Sequence, residues 1–197
     1  RDGMESTVLT PNLNGNTDDG SLKSIKAILD SNKATEFSKN NSISKNVLVI
    51  ASTILALNKF TFNDKTLITT IFNGRANPNY YNTQAFLVKT LPFITNNENR
   101  QITVAEFLKS VNETWKDTIN HIEYPYTKIA EEFQLKPEFF YTYEESFTED
   151  DDGGIAYETE EVGGDDAIVT DYKINFNVSD KGKEIALNLE YNDQLIS

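Results

Sequence analysis

The order of patterns along this chain predicts an α/β domain built on a mixed β-sheet with packed helices. Three observations carry that expectation. Two stretches, around 45–59 and from 103 to the stop at Pro125, place apolar residues at helical spacing. Apolar, β-branched runs stand before, between and after them. The chain closes on two alternating segments joined by a turn, Ile174-Phe176-Val178 and Ile185-Leu187-Leu189-Tyr191.

Residues 1–20 are polar and rich in Gly and Asn, and read as an extended entry segment. Ser21 is placed to cap a short helix carrying Leu22, Ile25, Ile28 and Leu29, at 3.6-residue spacing. A second short helix holds Ala34 and Phe37 and breaks at Asn40-Asn41. Ser44 then caps a strong helix from Lys45 to Lys59, apolar around most of its circumference and therefore expected in the core.

Thr66–Phe72 is a β-branched run and reads as a strand ending in Asn73-Gly74-Arg75. Phe86–Ile94 reads as another strand, ended or bent near Pro92. Thr103-Val104-Ala105-Glu106 is a capping box opening a long helix, with Val104, Phe107, Leu108, Val111, Trp115 and Ile119 on its inner stripe. Pro125 stops it, and a shorter helix follows near Thr127–Phe133. Phe139–Tyr143 is a short aromatic strand, and Ser179-Asp180-Lys181-Gly182 turns the closing hairpin.

The chain has 197 residues, 18 Lys+Arg and 31 Asp+Glu, for a net charge of −13. That charge repels phosphate backbones and anionic lipid, so nucleic acid and membrane are poor partners. Twelve acidic residues and no base fall between Glu144 and Asp171; without them the charge is −1. Residues 144–171 are expected to form a flexible acidic insertion. Glu149-Asp150-Asp151-Asp152-Gly153-Gly154 fits a calcium loop in neither register tested. There is no Cys and one His, His121, which excludes disulfides, thiolate sites and a multi-histidine metal centre. No apolar run spans a bilayer and no signal-peptide core opens the chain, so a cytoplasmic location is expected.

Catalytic signatures are absent: no G-x-S-x-G elbow, phosphate-cradling loop or H-E-x-x-H. Gly74-Arg75 reads as a strand-end turn with Arg75 paired to a carboxylate; the sharper alternative is an anion-binding arginine. His121, at a helix end, reads as a cap on exposed carbonyls rather than as a general base.

Several segments, in order, resemble the C-terminal half of a nonribosomal peptide synthetase condensation domain. Phe37–Ser44 and the helix after it resemble that half's first major helix. Asn73-Gly74-Arg75 resembles the S-G-R segment. Phe86-Leu87-Val88-Lys89-Thr90-Leu91-Pro92 resembles F-V-N-T-L-P, with Lys89 where the family has Asn. His121-Ile122-Glu123-Tyr124-Pro125-Tyr126 resembles H-Q-D-Y-P-F, and 172–192 resembles the closing hairpin. The arginine of a family motif is missing from 139–146, and the acidic segment has no clear counterpart.

The resemblance implies a chloramphenicol acetyltransferase-like lobe covering 1–197. Lys89, Thr90, Gly74 and Arg75 would face the substrate tunnel, while His121, Tyr124 and Pro125 would be structural. No residue of this chain would be catalytic, because the family's H-H-x-x-x-D-G belongs to the N-terminal lobe and nothing here matches it. No cofactor or metal would be bound. The implied partners are that N-terminal lobe and peptidyl carrier domains bearing a phosphopantetheine arm. A non-catalytic recruiting module and the lobe of a related acyltransferase are the alternatives.

Overall fold

The computed structural model describes residues 22–75, 78–97, 101–145 and 172–192. The expected entry segment 1–20 and residues 146–171 of the acidic segment lie outside them. Six strands form one sheet in the order β1-β6-β5-β4-β2-β3. In chain order the elements are β1 (Leu22–Asp30), α1 (Ser31–Asn40), α2 (Lys45–Thr61), β2 (Lys65–Phe72), β3 (Lys89–Asn96), α3 (Val104–Asn120), α4 (Tyr126–Phe133), β4 (Phe139–Glu145), β5 (Ile174–Asp180) and β6 (Glu184–Asn192). β2–β4 and β4–β5 are parallel; the other neighbours are antiparallel. The mixed sheet and its helices are the expected architecture.

The core forms where α2 and α3 cover the centre of the sheet. Ile50, Ile54, Ile68, Phe93, Phe139 and Ile185 are fully buried there. Ser44 accepts a hydrogen bond from the Val47 N–H at 3.1 Å and opens α2. Thr103 and Glu106 close a reciprocal capping box on α3, and the hydrogen bond from the Thr103 N–H holds the Glu106 carboxyl below its ordinary pKa. On the α3 stripe, Phe107, Leu108 and Val111 are buried, whereas Val104 in the first turn is 65 % exposed. Trp115 meets Phe93 edge-on at 5.6 Å between ring centroids.

Two boundaries differ from expectation. Residues 22–30 form a strand, not a helix. All nine pair antiparallel with β6, Leu22 against Asn192 through Asp30 against Glu184. That ladder satisfies backbone groups β6 would otherwise leave open, and this outweighs the helical spacing of Ile25, Ile28 and Leu29. Ile25 and Ile28 remain 58 % and 67 % exposed, so the spacing marks no packed face. Asp30 then caps α1 through the N–H groups of Asn32 and Lys33. The other correction concerns Phe86–Val88, which precede β3; Phe86 is 91 % exposed. Pro92 lies within β3 rather than ending it. An edge strand leaves one side of its backbone unpaired, so the missing N–H is tolerated.

Among the described residues, no single helix is long and apolar enough to cross a membrane. α1 and α2 reach that length only as a pair, bent by 94°, and α2 gives its apolar surface to the core.

Candidate functional site

The parallel pairings bring several chain segments to one end of the sheet. β2, β4 and β5 all finish there, and β3, antiparallel to β2, starts there with Lys89 opposite Phe72. The Asn73-Gly74-Arg75 turn follows β2 at this end. Gly74 has φ +72°, and a Cβ on it would collide with the backbone carbonyl of Leu87. Glycine is therefore required for the turn to pack against the approach to β3.

Arg75 departs from the expected pairing with a carboxylate. Its guanidinium donates to the carbonyls of Tyr80 and, at 3.1 Å, Thr83. It staples the loop after β2, because the Tyr80 carbonyl at the end of the Pro78–Tyr80 3₁₀ turn and the Thr83 carbonyl beyond it both face the guanidinium. Lys89 is 3.8 Å from the Glu123 carboxylate, and both side chains are well exposed, so the pair is worth little on its own. Thr90 pairs with Ile71 in the β2–β3 ladder and is half-buried.

His121, Tyr124 and Pro125 connect α3 to α4. The His121 Nδ1 lies 2.8 Å from the Asp117 carbonyl, which makes Nδ1 the donor and the residue a cap on α3. Tyr124 donates its N–H to the His121 carbonyl at 3.1 Å, and Pro125, with φ −65°, opens α4. His121 and Tyr124 border a cavity of about 250 Å³ that also reaches Leu91 and Pro92 of β3. Lys89 thus meets the α3–α4 corner through Glu123, while Gly74-Arg75 follow the end of β2.

A buried polar network underlies this end of the sheet. Asp180, at the end of β5, is 2 % exposed. Its Oδ1 accepts from the Ser31 hydroxyl at 3.2 Å and from the Gly182 N–H at 3.0 Å. Its Oδ2 accepts from the Tyr143 hydroxyl at 2.9 Å and pairs with Lys45 Nζ, which also reaches Ser31 Oγ at 3.3 Å. Burial works against the Asp180 charge, but the donors from Lys45, Gly182 and Tyr143 outweigh it and hold its pKa below the ordinary carboxyl value. Burial, then the hydrogen bond to Asp180, pushes the Tyr143 phenol far above its ordinary value. Burial does the same for Tyr141, whose hydroxyl donates to Asn46 Oδ1 at 2.9 Å.

None of these polar residues stood out in the sequence as more than a helix start, a strand residue or a turn. Asp180 accepts the Gly182 N–H as an ordinary turn aspartate does; its burial comes from Lys45 and Tyr143, distant in sequence. Beside the network, Asn46, Thr70, Trp115, Tyr143, Glu144 and Glu145 border a cavity of about 550 Å³. Glu144 and Glu145 were expected to begin the acidic insertion; they are instead the last residues of β4.

The condensation-domain family model matches residues 9–197. The chain belongs to the condensation-domain family. Solved members of similar fold include the condensation domain of the Monacolin K polyketide synthase MokA (TM-score 0.68, 18 % identity, 89 % of this chain and 43 % of that one). The X-domain from teicoplanin biosynthesis superposes with a TM-score of 0.73 at 17 % identity, covering 98 % of this chain and 46 % of that one. The epimerization domain from the third module of tyrocidine synthetase B gives 0.73 at 13 % identity, 98 % and 47 %. The condensation-domain chain described here therefore spans less than half the length of each. Its fold is CoA-dependent acyltransferase-like, as the α/β reading and the resemblance anticipated. No curated protein matches the sequence.

Proposed function

We propose that this chain is the C-terminal lobe of a nonribosomal peptide synthetase condensation domain, covering residues 1–197, and that the sheet end described above is its wall of the substrate tunnel. The reading rests on one observation above others. A condensation-family chain with less than half its relatives' length brings Gly74, Arg75, Lys89 and Thr90 to one end of its sheet. In this reading Gly74 and Arg75 shape the wall, and Lys89 and Thr90 border the channel. His121, Tyr124 and Pro125 brace the α3–α4 corner. The lobe needs an N-terminal partner lobe that carries the histidine motif, and peptidyl carrier domains that present thioester and amine on phosphopantetheine arms. It binds no cofactor itself, and a cytoplasmic location accompanies this role.

In the whole enzyme an acceptor amine would attack the donor thioester carbonyl, the amide C–N bond would form, and the thiol of the arm would leave with a proton. This lobe would contribute the approach of two tethered reactants rather than proton transfer. The test supplies carrier-bound donor and acceptor and follows amide formation by mass spectrometry. The chain alone is expected to be inactive, and the chain joined to an N-terminal lobe bearing H-H-x-x-x-D-G to be active. Turnover by the chain alone would overturn the assignment of chemistry to the other lobe. A second reading, a recruiting module without chemistry, is favoured by the Lys89–Glu123 pair at the motif position where the family has Asn; an inactive joined protein that still binds carrier domains would support it.

A further inference from the structure

At the opposite end of the sheet Lys65 faces Asn96 in the β2–β3 ladder. There a cavity of about 420 Å³, the size of a small-molecule site, opens between the end of α2 and the start of α3. Its walls are mainly apolar: Leu55 of α2, Val104 and Phe107 of α3, and Phe62. Leu55 and Val104 are 41 % and 65 % exposed, so the fold leaves this apolar surface open. Phe62 has φ +56°, a conformation that bulky side chains rarely adopt. Its ring is nonetheless 87 % exposed, so the unfavourable backbone brings it no burial.

Two amides border the same space. The Asn97 Nδ2 is buried and has no hydrogen-bond partner, which costs the free chain the hydration of that group. The Thr66 hydroxyl donates to Asn58 Oδ1, which leaves the Asn58 NH₂ as its free end. Both amides therefore offer donors and ask for an acceptor. The two charged residues at the cavity, Lys59 and Asp64, have opposite signs, so the pair favours neither an anion nor a cation.

We propose that this cavity binds an uncharged carbonyl group, a ketone, ester or amide, carried on a short apolar or aromatic frame. The carbonyl oxygen accepts from Asn97 Nδ2 and from the Asn58 NH₂, and the frame lies against Phe62, Leu55 and Val104.

The experiment titrates the full chain with acetophenone, ethylbenzene, benzoate and 1-phenylethylamine at neutral pH. The side-chain NH₂ signals of Asn97 and Asn58 are followed in nitrogen–proton correlation spectra. Acetophenone is expected to shift both signals and to bind no more weakly than ethylbenzene, although its carbonyl must leave water. Benzoate and the amine are expected to bind more weakly than the ketone. Asn97→Leu should move the acetophenone-to-ethylbenzene affinity ratio at least about fivefold toward ethylbenzene. It should not lower the unfolding temperature, because it removes a buried donor that has no partner. The proposal is overturned if no probe shifts the Asn97 signals, or if ethylbenzene, benzoate or the amine binds more tightly than acetophenone. A ratio unchanged by Asn97→Leu overturns it too, as does a lowered unfolding temperature, which would mean that Asn97 is satisfied in the free chain. The cavity lies at the other end of β2 from Gly74 and Lys89, and none of these results bears on amide formation with carrier-bound substrates.

Discussion

Asp180→Asn tests whether the buried network holds the site end of the sheet together. The substitution keeps the side chain's shape and removes its charge. Four donors converge on Asp180: Lys45, Ser31, Tyr143 and the Gly182 N–H. An asparagine oxygen can still accept from Ser31 and Gly182. Its NH₂ would face Lys45, donor against donor, while the Tyr143 hydroxyl would have to turn and accept from it. The charge-assisted contact to Lys45 is then lost; such bonds are worth about 1.5–3 kcal/mol. Breaking a buried pair costs about 3–5 kcal/mol, but Lys45 is 23 % exposed and recovers some hydration. The expected loss is therefore about 2–3 kcal/mol, a large part of a domain's roughly 5–15 kcal/mol.

Urea unfolding followed by Trp115 emission measures this at pH 7 and again at pH 3. The folded pKa of Asp180 lies below the ordinary value of 3.8. The folded state therefore binds fewer protons than the unfolded one in this range. The stabilisation is complete above about pH 5 and drains as pH falls through the folded pKa. The other carboxyls titrate alike in both proteins, so the gap between wild type and Asp180→Asn should be smaller at pH 3 than at pH 7. A gap under about 0.5 kcal/mol at pH 7 would refute the account of the network, and a gap independent of pH would refute the account of its charge.

Gly74→Ala should destabilise the chain by about 1–3 kcal/mol, since it combines a positive φ with a collision against the Leu87 backbone; thermal unfolding against Gln84→Ala, an exposed position in the same loop, checks it. At alkaline pH, stability should fall above about pH 10. There the unfolded tyrosines ionise, while burial keeps Tyr141 and Tyr143 protonated in the folded state. Tyr143→Phe should flatten that fall, and alkaline ultraviolet titration without and with denaturant should show the two phenols ionising only on unfolding.

Elements with a local cause were legible in the sequence. Ser44 before an apolar run and Thr103 three residues before Glu106 announce helices because capping is a short-range interaction, and both caps form as written. The closing hairpin was legible for the same reason: strict alternation with a turn between admits one register. β1 was not, because its conformation depends on the open edge of β6, supplied by residues more than 150 positions later. Ile25 and Leu29 are compatible with either period, and nothing local decides between them.

The same distinction separates the parts of the site. Gly74 could be picked out because a glycine after a strand has few reasons to be there other than backbone geometry, and the positive φ supplies one. Arg75 could be picked out as a cation but its partner could not, since carbonyls of a turned loop leave no mark in composition. Asp180 shows the limit most clearly. In sequence it is one acidic residue among 31, in a turn that favours aspartate anyway. In the fold it is nearly inaccessible and ties α1, α2, β4 and β5 at the end where Lys89 and Gly74 stand. Most of the net charge of −13 belongs to 144–171, but the carboxylate that organises this end of the sheet lies outside that stretch. Its importance comes from the donors that the β4–β5 and α2 packing bring to it, and formal charge counts cannot register that.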